Sequence, residues 1–222
     1  MRGRDDVHDH RMGDAVTASK TTIAPDEAGV EGNARLTAVN GVVLIVLLFV
    51  EGITILSVRG LITLHTFVGL MLVPPVLLKC VTTIYRFARY YAGRPAYVRR
   101  GPPAPVLRLL GPLVVITTLA VLGTGIGLLT VRPGQAGLWL PAHKASFVLW
   151  VILMTVHVLG HLRDAVTTSA REVRPVPGDG ATRRRPARML ALAGALVLGV
   201  GLAAALTPSI HPWVGYSHFG DR

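Results

Sequence analysis

Residues 61–81 read LITLHTFVGLMLVPPVLLKCV, a run of 21 residues whose one fixed charge is Lys79. A helix rising about 1.5 Å per residue needs about 20 apolar residues to cross a hydrocarbon layer about 30 Å thick. The run meets that requirement. So does LTAVNGVVLIVLLFVEGITILS at residues 36–57, separated from it by a very short turn holding Arg59 and Gly60. Further apolar stretches cover roughly residues 106–131, 143–166 and 189–206. Hydrophobic residues make up 51% of the 222-residue chain and charged ones 16%, below the roughly 25% charge of soluble domains. The expected fold is therefore all-α: an integral membrane helical bundle of about five transmembrane helices.

The polar segments complete that plan. Residues 1–35 carry seven acidic and five basic side chains and no apolar run. This is the composition of a disordered tail, not of a signal peptide or a globular unit. A basic loop at 167–188 separates the fourth span from the fifth (189–207), and a tail at 208–222 closes the chain. The net charge of +11 is mostly arginine, clustered between spans. Arg86, Arg89, Arg94, Arg99 and Arg100 follow the second span. Arg163, Arg171, Arg174, Arg183, Arg184, Arg185 and Arg188 follow the fourth. The opposite loops offer Arg59, Arg132 and Lys144. This asymmetry predicts a multi-pass protein of the plasma membrane with both basic loops and the N-terminus in the cytoplasm and the C-terminus outside. The expected partner of the charge is a lipid bilayer and not nucleic acid, since no basic helix or stacking motif accompanies it.

One cysteine, Cys80, excludes an internal disulfide, a Cys-rich zinc site and a cysteine-ligated iron–sulfur cluster. No CxxCH segment is present, so any haem is held non-covalently. No GxGxxG fingerprint or P-loop supports nicotinamide or ATP chemistry.

Ionisable groups inside a bilayer are costly and mark candidate sites. Deep in the spans stand Glu51, His65, Lys79, His143, His157 and His161. His143 and His157 are 14 residues apart, within about 40° of one helix face and about 21 Å along the axis. His161, 18 residues from His143, returns to that face after five turns. His65 and Lys79 are also 14 apart. The second and fourth spans run parallel, so His65 lies level with His143 and Lys79 with His157. Two helices thus present two rungs of nitrogen side chains to each other, and facing imidazoles in a bundle are a usual way to ligate a haem iron from both sides. Gly69 shares the face of His65, and Gly123, Gly125 and Gly127 clear a surface on the third span for a flat macrocycle, with Gly41 and Gly52 on the first. Small residues are also normal at transmembrane helix contacts.

The segments LHTFVG at 64–69, GTGIGLL at 123–129 and HKASFVLWVILMTVHVLGH at 143–161 resemble the membrane-embedded cytochrome b superfamily. It includes the b-type haem subunits of bacterial hydrogenases and formate dehydrogenases. The chain looks closest to small actinobacterial members, in keeping with its Arg, Ala, Gly and Val bias. The resemblance covers residues 36–166 and implies a four-helix core holding haem b. Paired histidines would ligate it: His65 and His143 an outer haem, His157 an inner one, so that one haem is expected and the pattern leaves room for a second. It also implies an electron-transfer subunit working between a quinone and a redox partner subunit, plausibly of molybdopterin type, that carries the catalysis. The departure is Lys79, which stands about where a second histidine is expected. Lysine ligates iron only as the neutral amine, and the competing reading is that Lys79 snorkels to the interface. His161 would help His157 or mark the helix end.

Other residues carry plainer expectations. Pro74 and Pro75 should kink the second span and rotate Lys79 relative to His65. Glu51 is an ion-pair partner for Arg59 or a quinone-side proton acceptor. Tyr85, Tyr90, Tyr91, Tyr97, Trp139 and Trp150 are interface anchors. Arg86, Arg89, Arg99 and Arg100 meet anionic lipid or haem propionates, and His211 and His218 are solvated. Two rival functions stay open, a proton or ion transporter and a cofactor-free structural subunit.

Overall fold

The computed structural model describes residues 25–99, 101, 105–174 and 181–216. Residues 1–24, Arg100 and His218 lie outside the described residues, and with them most of the expected tail. Six α-helices and no strand occur among the described residues: α1 (Pro25–Ile55), α2 (Val58–Tyr91), the short α3 (Pro95–Arg99), α4 (Pro105–Leu129), α5 (Trp139–Val173) and α6 (Arg185–Leu206). Five of them, all but α3, contain spans long and apolar enough to cross a membrane. The molecule is an all-α bundle of the multi-pass membrane kind.

Two helices reach further than apolarity alone indicates. α1 takes in residues 25–35, which their polarity assigned to the tail. Those turns are helical because their side chains find partners on other helices. Asn33 Nδ2 donates to the Thr82 carbonyl at 3.1 Å. Arg35, 4% exposed, pairs with Glu31 at 3.0 Å and donates to the Arg171 carbonyl at 3.5 Å. α5 likewise continues through residues 167–173, the start of the expected basic loop. Near its end Glu172, 1% exposed, accepts from Arg188 Nε at 3.0 Å and from Nη2 at 2.8 and 2.7 Å, with Arg35 Nη1 3.8 Å away. One carboxylate therefore ties the start of α1, the end of α5 and the start of α6. Neither Arg188 nor Glu172 belongs to a solvated loop.

α1 and α2 form an antiparallel pair with a regular polar register. Asn33 reaches Thr82, Lys79 Nζ donates to the Thr37 carbonyl at 2.7 Å, and Asn40 Nδ2 donates to the Pro75 carbonyl at 2.8 Å. α2 also packs along α6, and α5 packs along α4 and α1. Among the described residues α2 and α5 make no comparable contact; they face each other across a cavity.

The prolines of α2 do not break it. The backbone departs from helical values at Leu61 (φ −118°, ψ 18°), and the helix runs on through Pro74 and Pro75. The missing amide of Pro75 frees the carbonyl four residues back, that of Met71. Gly199 of α6 lies against that carbonyl, so close that a Cβ there would stand 2.4 Å from the oxygen. Close backbone approach at small residues is how helices adhere where lipid cancels the hydrophobic gain. Asn40, fully buried, covers the Pro75 carbonyl from the other side. Lys79 and His65, on either side of the prolines, both line one cavity.

At the opposite end, the segment after α6 folds back as a 3-10 helix (Thr207–Trp213). Trp213, 3% exposed, donates through Nε1 to the Val131 carbonyl at 3.2 Å. The first part of the expected external tail is thus packed, while His211 is exposed.

Two variants test these seams by thermal denaturation of the detergent-purified protein. Gly199→Val should cost about 1–3 kcal/mol by overpacking against the α2 backbone, while Gly201→Val, which has open space around it, should melt like the parent. Glu172→Ala should cost about 3–5 kcal/mol, because it strands buried arginine charge.

Candidate cofactor site

The site begins with two imidazoles. His65 near the start of α2 and His143 near the start of α5 stand with ring centroids 6.3 Å apart and planes at 75°. The level placement expected from equal 14-residue spacings on parallel helices is therefore present at this rung.

What orients the rings was not legible in advance. The last turns of α1 bring Glu51 and Thr54 to His65, whose Nδ1 is 2.9 Å from Glu51 Oε1 and 3.0 Å from Thr54 Oγ1. The Thr54 hydroxyl donates to the Glu51 main-chain carbonyl at 2.6 Å, so its lone pairs face the ring. On the other side, His143 Nδ1 lies 3.1 Å from the Val121 carbonyl and 3.1 Å from Thr124 Oγ1. The Thr124 hydroxyl in turn donates to the Ala120 carbonyl at 2.6 Å. Carboxylates and carbonyls only accept. Each Nδ1 therefore faces acceptors, and neither Nε2 has a hydrogen-bond partner among the described residues. Glu51, expected as an ion-pair partner for Arg59 or a proton acceptor, also reaches His65 Nδ1. The available signal was the turn of two residues after α1, which folds Glu51 back along α2; with no measure of rotation, the reach to His65 could not be read.

Two glycines make the arrangement fit. A Cβ on Gly125 would meet His143 Cε1 at 3.1 Å, and one on Gly69 would meet Glu51 Oε1 at 3.3 Å. These glycines give room to the orienting groups themselves. Gly127 does the same for Trp139, whose ring would lie 2.4 Å from a Cβ, and Gly41 for the Lys79 amine at 3.0 Å. Gly123 and Gly52 border open space.

Both histidines line a cavity of about 1000 Å³, at the upper end of the roughly 300–1000 Å³ of small-molecule and cofactor sites. Its walls are mostly aliphatic, with Leu44, Val76, Val114, Leu122 and Met154 among them. Among the described residues no three His, Cys, Asp or Glu side chains lie close enough to enclose a metal ion unaided. Two imidazoles facing one cavity, each with one nitrogen taken up by acceptors, fit a metal-bearing cofactor that supplies the rest of its own ligands, and His65 and His143 would hold it.

The second rung is built differently. Lys79, Cys80, His157 and His161 line the same cavity further along. His157 and His161 have ring centroids 4.8 Å apart, and His157 Nδ1 is buried with no hydrogen-bond partner. The Lys79 amine donates to the Thr37 carbonyl of α1 at 2.7 Å. Among the described residues no carboxylate or carbonyl holds His157 Nδ1 as Glu51 and Val121 hold the first pair.

Several expected interface anchors sit elsewhere. Trp150 donates to Thr118 Oγ1 at 2.9 Å between α5 and α4 and borders the cavity. Tyr97, 8% exposed, packs edge-on against Tyr85, and the two rings flank Arg89 at 6.0 and 5.5 Å. Burial holds the Tyr97 phenol above its ordinary range. Tyr91 accepts a hydrogen bond from Arg108, while Arg99 pairs with Glu27 at 2.8 Å.

The fold and site define a class: a helical membrane bundle with an apolar cavity lined by two histidines whose Nδ1 atoms face acceptors. No protein-family model, no curated protein and no solved structure matches the chain.

Proposed function

We propose that this chain is a b-type cytochrome subunit that carries electrons within the plasma membrane, holding one haem b between His65 and His143. The observation that carries the reading is the pair of imidazoles 6.3 Å apart with both Nδ1 atoms turned to acceptors, which leaves both Nε2 atoms to ligate. Metal-bound histidines are held by this kind of outer hydrogen bond to a carboxylate or carbonyl. A lone cysteine outside any haem-attachment segment agrees with non-covalent binding.

Haem iron supplies reversible one-electron chemistry when bound. The chain does the rest. His65 and His143 would hold the group through their remaining ring nitrogens. Glu51 and the Val121 carbonyl keep the rings from rotating and make them stronger donors. Thr54 and Thr124 hold a second hydrogen bond on each side, and the aliphatic walls exclude water. By resemblance, the electrons pass between a quinone and a redox partner subunit of molybdopterin type, and the catalysis belongs to that partner. The arginine-rich segments after α2 and α5 support a cytoplasmic position for those loops.

One observation favours a rival. Glu51, His65, His143, Lys79 and His157 line one continuous cavity, as in an ion path. Colour separates the two. The purified protein should show a low-spin haem spectrum that sharpens with dithionite, at about one haem per chain. His65→Ala and His143→Ala should each abolish it while the protein still inserts. Gly125→Val should do the same by displacing His143, whereas Gly123→Val should not. A colourless protein after haem-supplemented expression would leave the ion path as the better reading.

For topology, a reporter fused after Pro103 should respond as cytoplasmic and one at the C-terminus as external. The opposite pattern would invert the proposed orientation.

A further inference from the structure

The Lys79 end of the cavity is unlike the His65 end in its balance of donors and acceptors. A lysine head group has three donors and no acceptor, and Lys79 spends one on the Thr37 carbonyl. The His157 Nδ1 atom is buried and unpartnered, and His161 stands beside it with ring centroids 4.8 Å apart. Lys79 lines the same cavity as both imidazoles. Against these nitrogens the cavity wall offers one carboxylate among the described residues, Glu51. It is committed to His65, 14 residues or about 21 Å along α2 from Lys79. Asp164 and Arg86, the other charged groups near His161, lie outside the cavity wall. Nitrogen donors in an apolar cavity with no acid on the wall at this end are costly unless something else supplies the acceptor. The wall around them is mostly apolar, with Val76, Met154, Val158 and Leu162 beside Cys80 and Thr83.

We infer that this end of the cavity binds the oxyanion head group of an apolar molecule, with Lys79, His157 and His161 on the head and the aliphatic wall on the body. The ligand class is a carboxylate or phosphate on a hydrocarbon chain. It comes either from a phospholipid of the bilayer or from a free long-chain acid. The site is separate from the His65–His143 pair and does not depend on the haem reading.

The test uses the full chain, purified and placed in nanodiscs of phosphatidylcholine. Binding of palmitate, methyl palmitate and added phosphatidylglycerol is measured by native mass spectrometry and titration. An acidic ligand should bind at least tenfold more tightly than the methyl ester, and Lys79→Met should weaken it at least tenfold. His157→Leu should also weaken it, and carries the comparison if Lys79→Met does not fold. Preference for phosphatidylglycerol assigns the source to the bilayer, and preference for palmitate to a free acid; either supports the site. Equal binding of acid and ester, or unchanged binding in both variants, would overturn it. So would two haems per chain falling to one in Lys79→Met, which would give this end to a second haem. The absorbance assigned to His65 and His143 should persist in both variants, so the failure of one reading is visible apart from the other.

Discussion

A helix in hydrocarbon has no water to satisfy a stray polar group, and the whole bundle is arranged around that constraint. Where α2 loses a backbone hydrogen bond at Pro75, Gly199 closes on the freed Met71 carbonyl and Asn40 donates to the carbonyl of Pro75 itself. Where charge enters the helix ends, Glu172 collects Arg188 and Arg35. Where imidazoles enter the cavity, Glu51, Thr54, Val121 and Thr124 take up one nitrogen of each. Among the groups that escape this rule are the two Nε2 atoms at the His65 end of the cavity and the uncommitted nitrogens at its Lys79 end, alongside buried atoms away from it such as Ser169 Oγ and Thr207 Oγ1. In a bilayer protein, such exceptions are where a ligand has something to offer.

The fold was legible because span length and arginine asymmetry are properties of single segments. The pairing of His65 with His143 was legible too, since equal 14-residue spacings on parallel helices are local arithmetic. What could not be read depends on rotation between neighbouring helices. Glu51 faces His65 because α1 and α2 cross in one register, and nothing in either segment states that register. Trp150 looked like an interface residue by type, yet its indole meets Thr118 in mid-bundle. Glu172 and Arg188 looked like members of a basic loop because composition averages over a segment. The clue was an acid set between Arg171 and Arg174 at the end of an apolar run, which is costly there unless it is paired. Polarity misled in the same way over residues 25–35, whose Asn33 and Arg35 are polar because other helices, not water, receive them.

The glycines carry a related lesson. Gly69 and Gly125 were candidates for clearing space beside a macrocycle, and both do lie at the cavity. Their immediate neighbours are Glu51 and His143, so the space serves the side chains that grip before it serves anything gripped. A binding cavity between helices needs room for its own supports, and small residues on the adjoining face provide it.

The contact between Gly199 and Met71 also bears on the order in which the chain can be completed. α2 emerges early in synthesis and α6 last among the spans. Until α6 arrives, the Met71 carbonyl has neither a helical donor nor its glycine cover. The second helix must therefore wait in the lipid in a provisional state, with that defect turned to whatever water or neighbouring chain is at hand. The last helix is thus a clasp that locks the bundle after the cavity walls have been laid down.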